Sequence, residues 1–377
     1  MRDLSPRRPC CNRRNWCDRR NWCDRRGCRG CRLAARTAAA AGVCLVAAGL
    51  VAAGLVGLVG GLAVAAVPEA AAVPRLVPQA AVPPPRLVVV ALGTAQDGGV
   101  PQAGCDCVRC VAARRDPGRR RRVASLALHL PASGHTWLID ATPDLGAQLE
   151  AVHRFRPHPA GGPDRHPVDG ILLTHAHAGH FLGLAFFGFE AINSRDLPVY
   201  ASPRMAAFLR GNGPWSLLVT RRNILLREMA PGVALALETG LTVTPLAVPH
   251  RDELSDTLGF VVRGTRRTLL YVPDTDSWTA WATPLPEVLR RERVDVALLD
   301  GTFYAAGELP DRDVRRIGHP LMTSTVELLR EQVRGGLQVF FTHLNHSNPA
   351  LDPAGPERRA LAAAGCRVLE EGQELDL

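Results

Sequence analysis

The chain has 377 residues, 46% of them hydrophobic, enough to bury one large core or two medium ones. Its formal net charge of +9 is accounted for by residues 1–36, which hold 12 Arg and 3 Asp. The rest carries 33 basic and 33 acidic residues, so the excess is no argument for a nucleic-acid-binding domain. All 45 basic residues are arginine, which excludes Schiff-base chemistry on a lysine.

Residues 1–36 are of low complexity: the block at 13–18, Arg-Arg-Asn-Trp-Cys-Asp, recurs at once at 19–24. Six cysteines lie in this stretch with no histidine and no fixed spacing, so it reads as a disordered basic leader rather than a metal knuckle. Residues 37–67 carry no charge and are almost wholly Ala, Gly, Val and Leu. That length spans a bilayer, and the Arg-rich flank predicts a cytoplasmic N-terminus. The small residues Ala63, Val64 and Ala65 equally suit signal-peptide cleavage. Either outcome exports the body to the periplasmic or extracellular side, membrane-anchored in the first case and secreted in the second. Residues 68–85, rich in Pro and Ala, read as an extended spacer. The body is expected at 86–377.

Within the body, apolar runs predict strands at 86–92, 123–130, 136–140, 170–174, 241–248, 258–262, 268–272, 294–299 and 339–342. Helical spacing falls at 144–152, 180–192, 203–210, 284–291, 324–331 and 356–364. Strands in bunches with helices between them argue a layered α/β body with mixed sheets.

Chemistry-bearing residues recur where the strands stop. The run at 169–173 ends in Thr174-His175-Ala176-His177-Ala178-Gly179-His180, three imidazoles within six residues on a strand end. His250, Asp274, Asp300 and His343 each sit just past or at the end of another predicted strand. Imidazoles that bind and a carboxylate that bridges are what a dinuclear metal site at a sheet edge needs. A second cluster, Gly104-Cys105-Asp106-Cys107-Val108-Arg109-Cys110, offers three thiols in a tight turn, and His346 follows His343 by three residues. Three cysteines and one histidine make a closed tetrahedral set, hence a structural zinc; reactive thiols or a disulfide in the exported space are the alternatives. Cys366 stands alone and reads as a buried apolar residue. His129, His135, His153, His158 and His166 read as surface or loop residues, and Arg119 to Arg122 as a solvated face able to attract an anion.

The order Asp140, His175, His177, His180, His250, Asp274, His343 resembles the metallo-β-lactamase superfamily and covers essentially all of residues 86–377. The resemblance implies a four-layer αββα sandwich with metals at one edge. It assigns His175, His177 and His250 to a first metal, His180 and His343 to a second, and Asp274 to the bridge, with Asp140 orienting a ligand histidine. Zinc is the expected ion, with iron or manganese also admissible. One departure stands out: the superfamily's HxHxDH motif carries an aspartate where this chain has Gly179. Reading that as a lost ligand, we expect the first station to be filled and the second partly occupied. The cysteine-rich turn with its terminal histidine is similar to the cyclic-phosphate phosphodiesterases of phosphonate breakdown. The phrases Gly93-Thr94-Ala95-Gln96-Asp97-Gly98-Gly99, Leu299-Asp300-Gly301-Thr302-Phe303 and Asn345-His346-Ser347-Asn348-Pro349 resemble the coenzyme PQQ synthesis protein B group.

The function implied is that of a metal-dependent hydrolase in which a metal-bound water attacks a small-molecule ester, lactone or phosphodiester. Asp274 and His319 are the catalytic candidates, His319 as proton donor or substrate contact, though it also reads as a capping histidine before the helix at 324–331. Asp97 and Asp300 lie on loops able to face the same pocket, though each also reads as a turn residue. The alternatives are an iron-dependent oxidative enzyme of cofactor synthesis and a non-catalytic accessory or carrier protein.

Overall fold

The computed structural model describes residues 85–159, 162, 164–309 and 312–377. The leader, the uncharged run at 37–67 and the spacer up to residue 84 lie outside the described residues. Among the described residues, no helix is long and apolar enough to cross a membrane.

The strands, in chain order, are β1 (Val88–Gly93), β2 (Ser125–Leu130), β3 (His135–Ile139), β4 (Gly170–Leu172), β5 (Leu197–Ala201), β6 (Ile224–Glu228), β7 (Leu235–Glu238), β8 (Leu241–Val248), β9 (Thr257–Arg263), β10 (Thr268–Val272), β11 (Val296–Asp300), β12 (Gln338–Thr342), β13 (Cys366–Val368) and β14 (Glu374–Asp376). They form two seven-stranded sheets, ordered β14-β1-β2-β3-β4-β5-β6 and β13-β12-β11-β10-β9-β8-β7. Each sheet is antiparallel at one end and parallel at the other: β3 to β6 run parallel in the first, β10 to β13 in the second.

Both faces of each sheet are covered, which is why the strands read as unbroken apolar runs rather than as alternation. Along β1, Val89 and Ala91 join Leu128, Phe260, Tyr271 and Leu298 in the core between the sheets. Val88, Val90 and Leu92 point the other way, where α2 (Leu145–His153, after α1 at Val108–Arg115) brings Leu145 and Val152. On the far face of the second sheet, Val261, Leu270, Leu299 and Phe341 pack against Leu285 and Val288 of the helix Leu285–Arg291, and Leu361 of the helix Pro356–Ala363. Helix, sheet, sheet and helix therefore stack in the expected four layers.

The topology fixes the position of the site. β1, β3 and β4 run in one sense in the first sheet, and β8, β10, β11 and β12 in one sense in the second. Their C-terminal ends meet at one rim, where Ala95 bridges in parallel to both Val123 and Leu344. Every histidine of the expected metal site sits just past one of these ends.

Several expectations need correction. The helix expected at 180–192 is one turn, Ala178–Phe181, followed by a 3-10 stretch, Leu182–Phe187. It is stapled to the loop after β3: Gly183 N–H donates to Ala141 O at 2.9 Å, and a Cβ at Gly183 would lie 2.1 Å from Thr142 O. The helix expected at 324–331 starts earlier and breaks into Met322–Leu328 and Arg330–Arg334. His129 is buried rather than on the surface: its Nδ1 lies 2.9 Å from Thr136 Oγ1 and its ring stacks on Phe155. Arg119 and Arg120 are exposed, as expected of a solvated face, whereas Arg121 and Arg122 are half-buried and pair with Glu370 and Glu371. Cys366 is buried in β13, as expected of an apolar residue.

Candidate metal centre

The rim brings the predicted residues together. His175 Nε2 lies 2.9 Å from His177 Nδ1, and His250 Nε2 lies 3.1 Å from the same atom. Asp274 Oδ2 stands 3.5 Å from His175 Nε2 and 3.2 Å from His250 Nε2. The same oxygen is 3.9 Å from His180 Nε2 and 3.8 Å from His343 Nε2, so Asp274 lies between two groups of imidazoles. Ligand atoms of His175, His177, His250 and Asp274 are within 4.8 Å of one another, as are those of Asp97, His180 and His343. Ligands on a tetrahedral zinc with bonds of about 2.0–2.1 Å to nitrogen stand about 3.3 Å apart, close to these spacings.

The outer nitrogens explain why these rings face inward. His180 Nδ1–H donates to Asp140 Oδ2 at 2.7 Å, His250 Nδ1–H to Asp276 Oδ1 at 2.8 Å, and His343 Nδ1–H to Thr302 Oγ1 at 3.0 Å. His175 Nδ1–H donates to Thr174 Oγ1 at 3.0 Å. In each case the bond occupies Nδ1 and leaves the Nε2 lone pair for an ion. His177 is the exception, turning Nδ1 inward while its Nε2 lies 3.5 Å from Glu253. The buried atoms His180 Nε2, His343 Nε2 and Asp274 Oδ1 have no hydrogen-bond partner, and burying such atoms is costly unless something meets them. A divalent cation fits that donor set.

Two of the six non-glycine residues at positive φ among the described residues belong to this site. Asp140 and His343 are non-glycine residues at φ +68° and +62°, a conformation that costs on the order of 1–3 kcal/mol and persists only where surroundings over-determine it. Asp140 is fixed by Thr174, whose N–H and hydroxyl both donate to its Oδ1, at 2.8 and 3.0 Å.

Electrostatics converge on a positive guest. Burial, with His180 adjacent, holds His175 well below its ordinary pKa; burial likewise lowers His177 and His343. Burial also opposes protonation of His180, yet Asp140, by charge and hydrogen bond, with Asp97 and Asp274 behind it, pushes His180 up to about 9. Burial disfavours the charged form of Asp274, but His343 and His319 outweigh it and hold the carboxylate well below the usual range. Carboxylates thus surround the imidazoles and draw a cation to their centre.

Three further carboxylates serve the same rim. Asp276, the partner of His250, had no signal beyond lying two residues after Asp274. Asp300, expected at a strand end facing the pocket, holds His319: its Oδ2 accepts from His319 Nδ1–H at 2.9 Å, and its oxygens also accept from Thr275 and Thr302 N–H. His319 Nδ1 also lies 3.3 Å from Asp274 Oδ1. Asp97 reaches the cluster from the loop after β1, with Oδ1 3.6 Å from His180 Nε2.

The thiol cluster is a separate station. Cys105, Cys107 and Cys110 place Sγ at 3.5, 3.5 and 3.6 Å from His346 Nδ1. Tetrahedral zinc with bonds of about 2.3 Å to sulfur and about 2.0 Å to nitrogen separates S from N by about 3.5 Å. Burial opposes ionisation of both Cys107 and Cys110: the Cys110 backbone N–H and His346 bring Cys107 down to about 6, while burial pushes Cys110 up to about 12. None of the described cysteines is in a disulfide, and the donor atoms of Cys105, Cys107, Cys110 and His346 lie within 4.8 Å of one another, a set able to hold a metal ion.

The family model of the Beta-lactamase superfamily domain matches residues 135–353. The coenzyme PQQ synthesis protein B of Methylobacterium sp. (strain 4-46) is 30% identical over 312 residues, covering 76% of this chain and 99% of that protein. The chain belongs to the metallo-β-lactamase superfamily, in its coenzyme PQQ synthesis protein B-like group. Among solved structures, the zinc-bound PqqB from Methylobacterium extorquens matches with a TM-score of 0.65 at 26% identity, over 77% of this chain and all of that one. A diphosphatase of the PhnP family matches with a TM-score of 0.55 at 22% identity, over 78% of this chain and 97% of that one, a likeness of fold.

The role of Asp140 gives a first prediction. Asp140→Asn keeps an oxygen for the Thr174 N–H but turns an amide donor toward His180 Nδ1, which drives the ring proton to Nε2 and removes the inward lone pair. Metal affinity at that histidine is expected to fall about 10–100-fold, as losses of such partners generally do. Competition with a chromophoric chelator measures it; unchanged affinity would refute the tautomer argument.

Proposed function

We propose that the chain is a metal-dependent hydrolase acting on a small-molecule ester, lactone or phosphodiester. The observation that carries this reading is His319: its imidazole Nδ1 lies 3.3 Å from Asp274 Oδ1, and the residue also lines a cavity of ≈ 380 Å³. His175, His177 and His250 would hold one ion and His180 and His343 another, with Asp274 between them. Ions bound there supply Lewis acidity and lower the pKa of water toward neutrality.

The chain's own groups do the rest. Burial works against a charged His319, but with no ion bound Asp300 and Asp274 outweigh it and push its pKa up to about 9. Asp300 fixes the ring through Nδ1, leaving Nε2–H to pass a proton to a departing oxygen. Gln96, Gln102 and Asn345 offer amides in the cavity, Phe303 an apolar wall, and Arg312 a cation. That volume suits a small molecule and that lining suits one bearing an anionic group. The zinc found in the Methylobacterium extorquens relative supports zinc as the first ion to try.

The test is a panel of p-nitrophenyl esters, lactones and bis(p-nitrophenyl) phosphate with the full chain loaded with zinc, manganese or ferrous iron. Chelation should abolish turnover. His319→Gln should lower kcat by about 10²–10⁴-fold with metal content unchanged. No hydrolysis by the loaded chain, or hydrolysis that survives chelation, contradicts the reading. A second reading draws on the relatives' role in coenzyme PQQ synthesis: an iron-dependent oxidation, or an accessory part, in making such a cofactor. Aerobic turnover strictly dependent on ferrous iron would select it.

A further inference from the structure

Position 179 is sterically closed to any side chain. An ideal Cβ there would lie 2.2 Å from Asp97 Oδ1 and 2.7 Å from Asp97 Cα, nearer than non-bonded atoms come. The Asp97 carboxylate therefore fills the space that a side chain at 179 would need. Its Oδ1 accepts from Gly179 N–H at 3.1 Å, and its Oδ2 from Gln96 Nε2–H at 3.1 Å.

The loop carrying Asp97 is held against the strand end that carries His343. Leu344 N–H donates to Thr94 O at 2.9 Å, and Gln96 N–H donates back to Leu344 O at 2.9 Å. Ala95 also pairs with Val123, so the loop is tied on both sides. Two backbone bonds across residues adjacent to Asp97 and His343 fix the spacing of those side chains.

Asp97 does not satisfy His180. The separation of 3.6 Å from Asp97 Oδ1 to His180 Nε2 is too long for a hydrogen bond, and that nitrogen stays without a partner. His343 Nε2 is buried and unpartnered in the same way. Three donors gathered within 4.8 Å, none bonded to another, leave a gap that a cation spans.

We propose that Asp97 supplies the carboxylate of the second metal station, completing it with His180 and His343 while Asp274 stands between the stations. Gly179 is then the complement of Asp97 rather than the loss of a ligand: the acid has moved from the histidine motif to the loop after β1, and the glycine makes room for it. The second station keeps its anionic donor, which replaces the expectation of partial occupancy drawn from Gly179 alone. The inference rests on reading His175, His177 and His250 as the first station.

The experiment is a zinc titration of the full chain, stripped of metal and read against a competing chromophoric chelator, with circular dichroism as the check on folding. Asp97→Asn keeps an acceptor for the Gly179 N–H and removes the charge; Asp97→Ala removes both. Each is expected to weaken one zinc by on the order of 10–100-fold or more, leaving the others as in the parent. Gly179→Ala should reproduce that loss by displacing the carboxylate, and combining it with Asp97→Asn should add little. If His177→Ala releases an ion but both Asp97 variants bind zinc as tightly as the parent, the assignment of Asp97 is overturned. If His177→Ala releases none, the first station itself is misread and the inference falls with it.

Discussion

His177→Ala is expected to abolish turnover, by on the order of 10³-fold or more, in a chain that stays folded and holds one ion fewer. The fold should survive because the ring supports no other part of it. His177 is only partly buried, and its contacts are His175, His250 and Glu253, all at the rim. Activity should not survive, because His177 Nδ1 is the atom around which His175 Nε2 and His250 Nε2 gather. A bound ion contributes several kcal/mol of transition-state stabilisation, and each ~1.4 kcal/mol is tenfold in rate. Turnover of any responsive substrate, set beside ion content, measures both effects. A variant that keeps every ion, or keeps its rate, contradicts the assignment.

Cys107→Ser is expected to act on stability instead. Cys107 and His346 are separated by 239 positions, yet Cys107 Sγ lies 3.5 Å from His346 Nδ1. An ion gripping both ties the turn before α1 to the loop after β12. Clips that close so long a loop remove the most entropy from the unfolded chain, on the order of 3–5 kcal/mol by the loop-closure argument. A serine hydroxyl is a poor zinc ligand, so the melting temperature should fall on the order of 10 °C and a zinc should be lost. The released zinc must differ from the ion lost in His177→Ala. Thermal denaturation with ion counting on both variants, and on the pair combined, decides it: combined losses that do not exceed either alone would mean a single shared station. His346 lies three residues from His343 on one loop, so a modest secondary effect on turnover is also expected, far smaller than that of His177→Ala.

The strands that were legible in the sequence are those with both faces covered. β1, β8, β9 and β12 read as apolar runs because core lies on each side of them. β14 offers one apolar residue, Leu375, and β7 and β6 lie at sheet edges with half-exposed faces, so their sequences carry little of that signal. The site was legible to a similar degree and for a related reason. His175, His177, His180, His250, Asp274 and His343 each end an apolar run, a local pattern. The pairing of Asp97 with Gly179 is not local: residues 82 positions apart exchange a carboxylate for an empty space, and neither position shows it alone. Asp276 is hidden for the same reason, since what marks it is the His250 ring it holds. Arg121 and Arg122 read as solvated like their exposed neighbours Arg119 and Arg120 because their acidic partners Glu370 and Glu371 come from the far end of the chain.

Anomalous diffraction at the zinc edge from crystals of the zinc-loaded chain tests the central claim most directly. The account predicts one peak among His175, His177, His250 and Asp274, a second among Asp97, His180 and His343, and a third among the three thiols and His346. A map with density at the thiols alone, and none between the rim histidines, would contradict it.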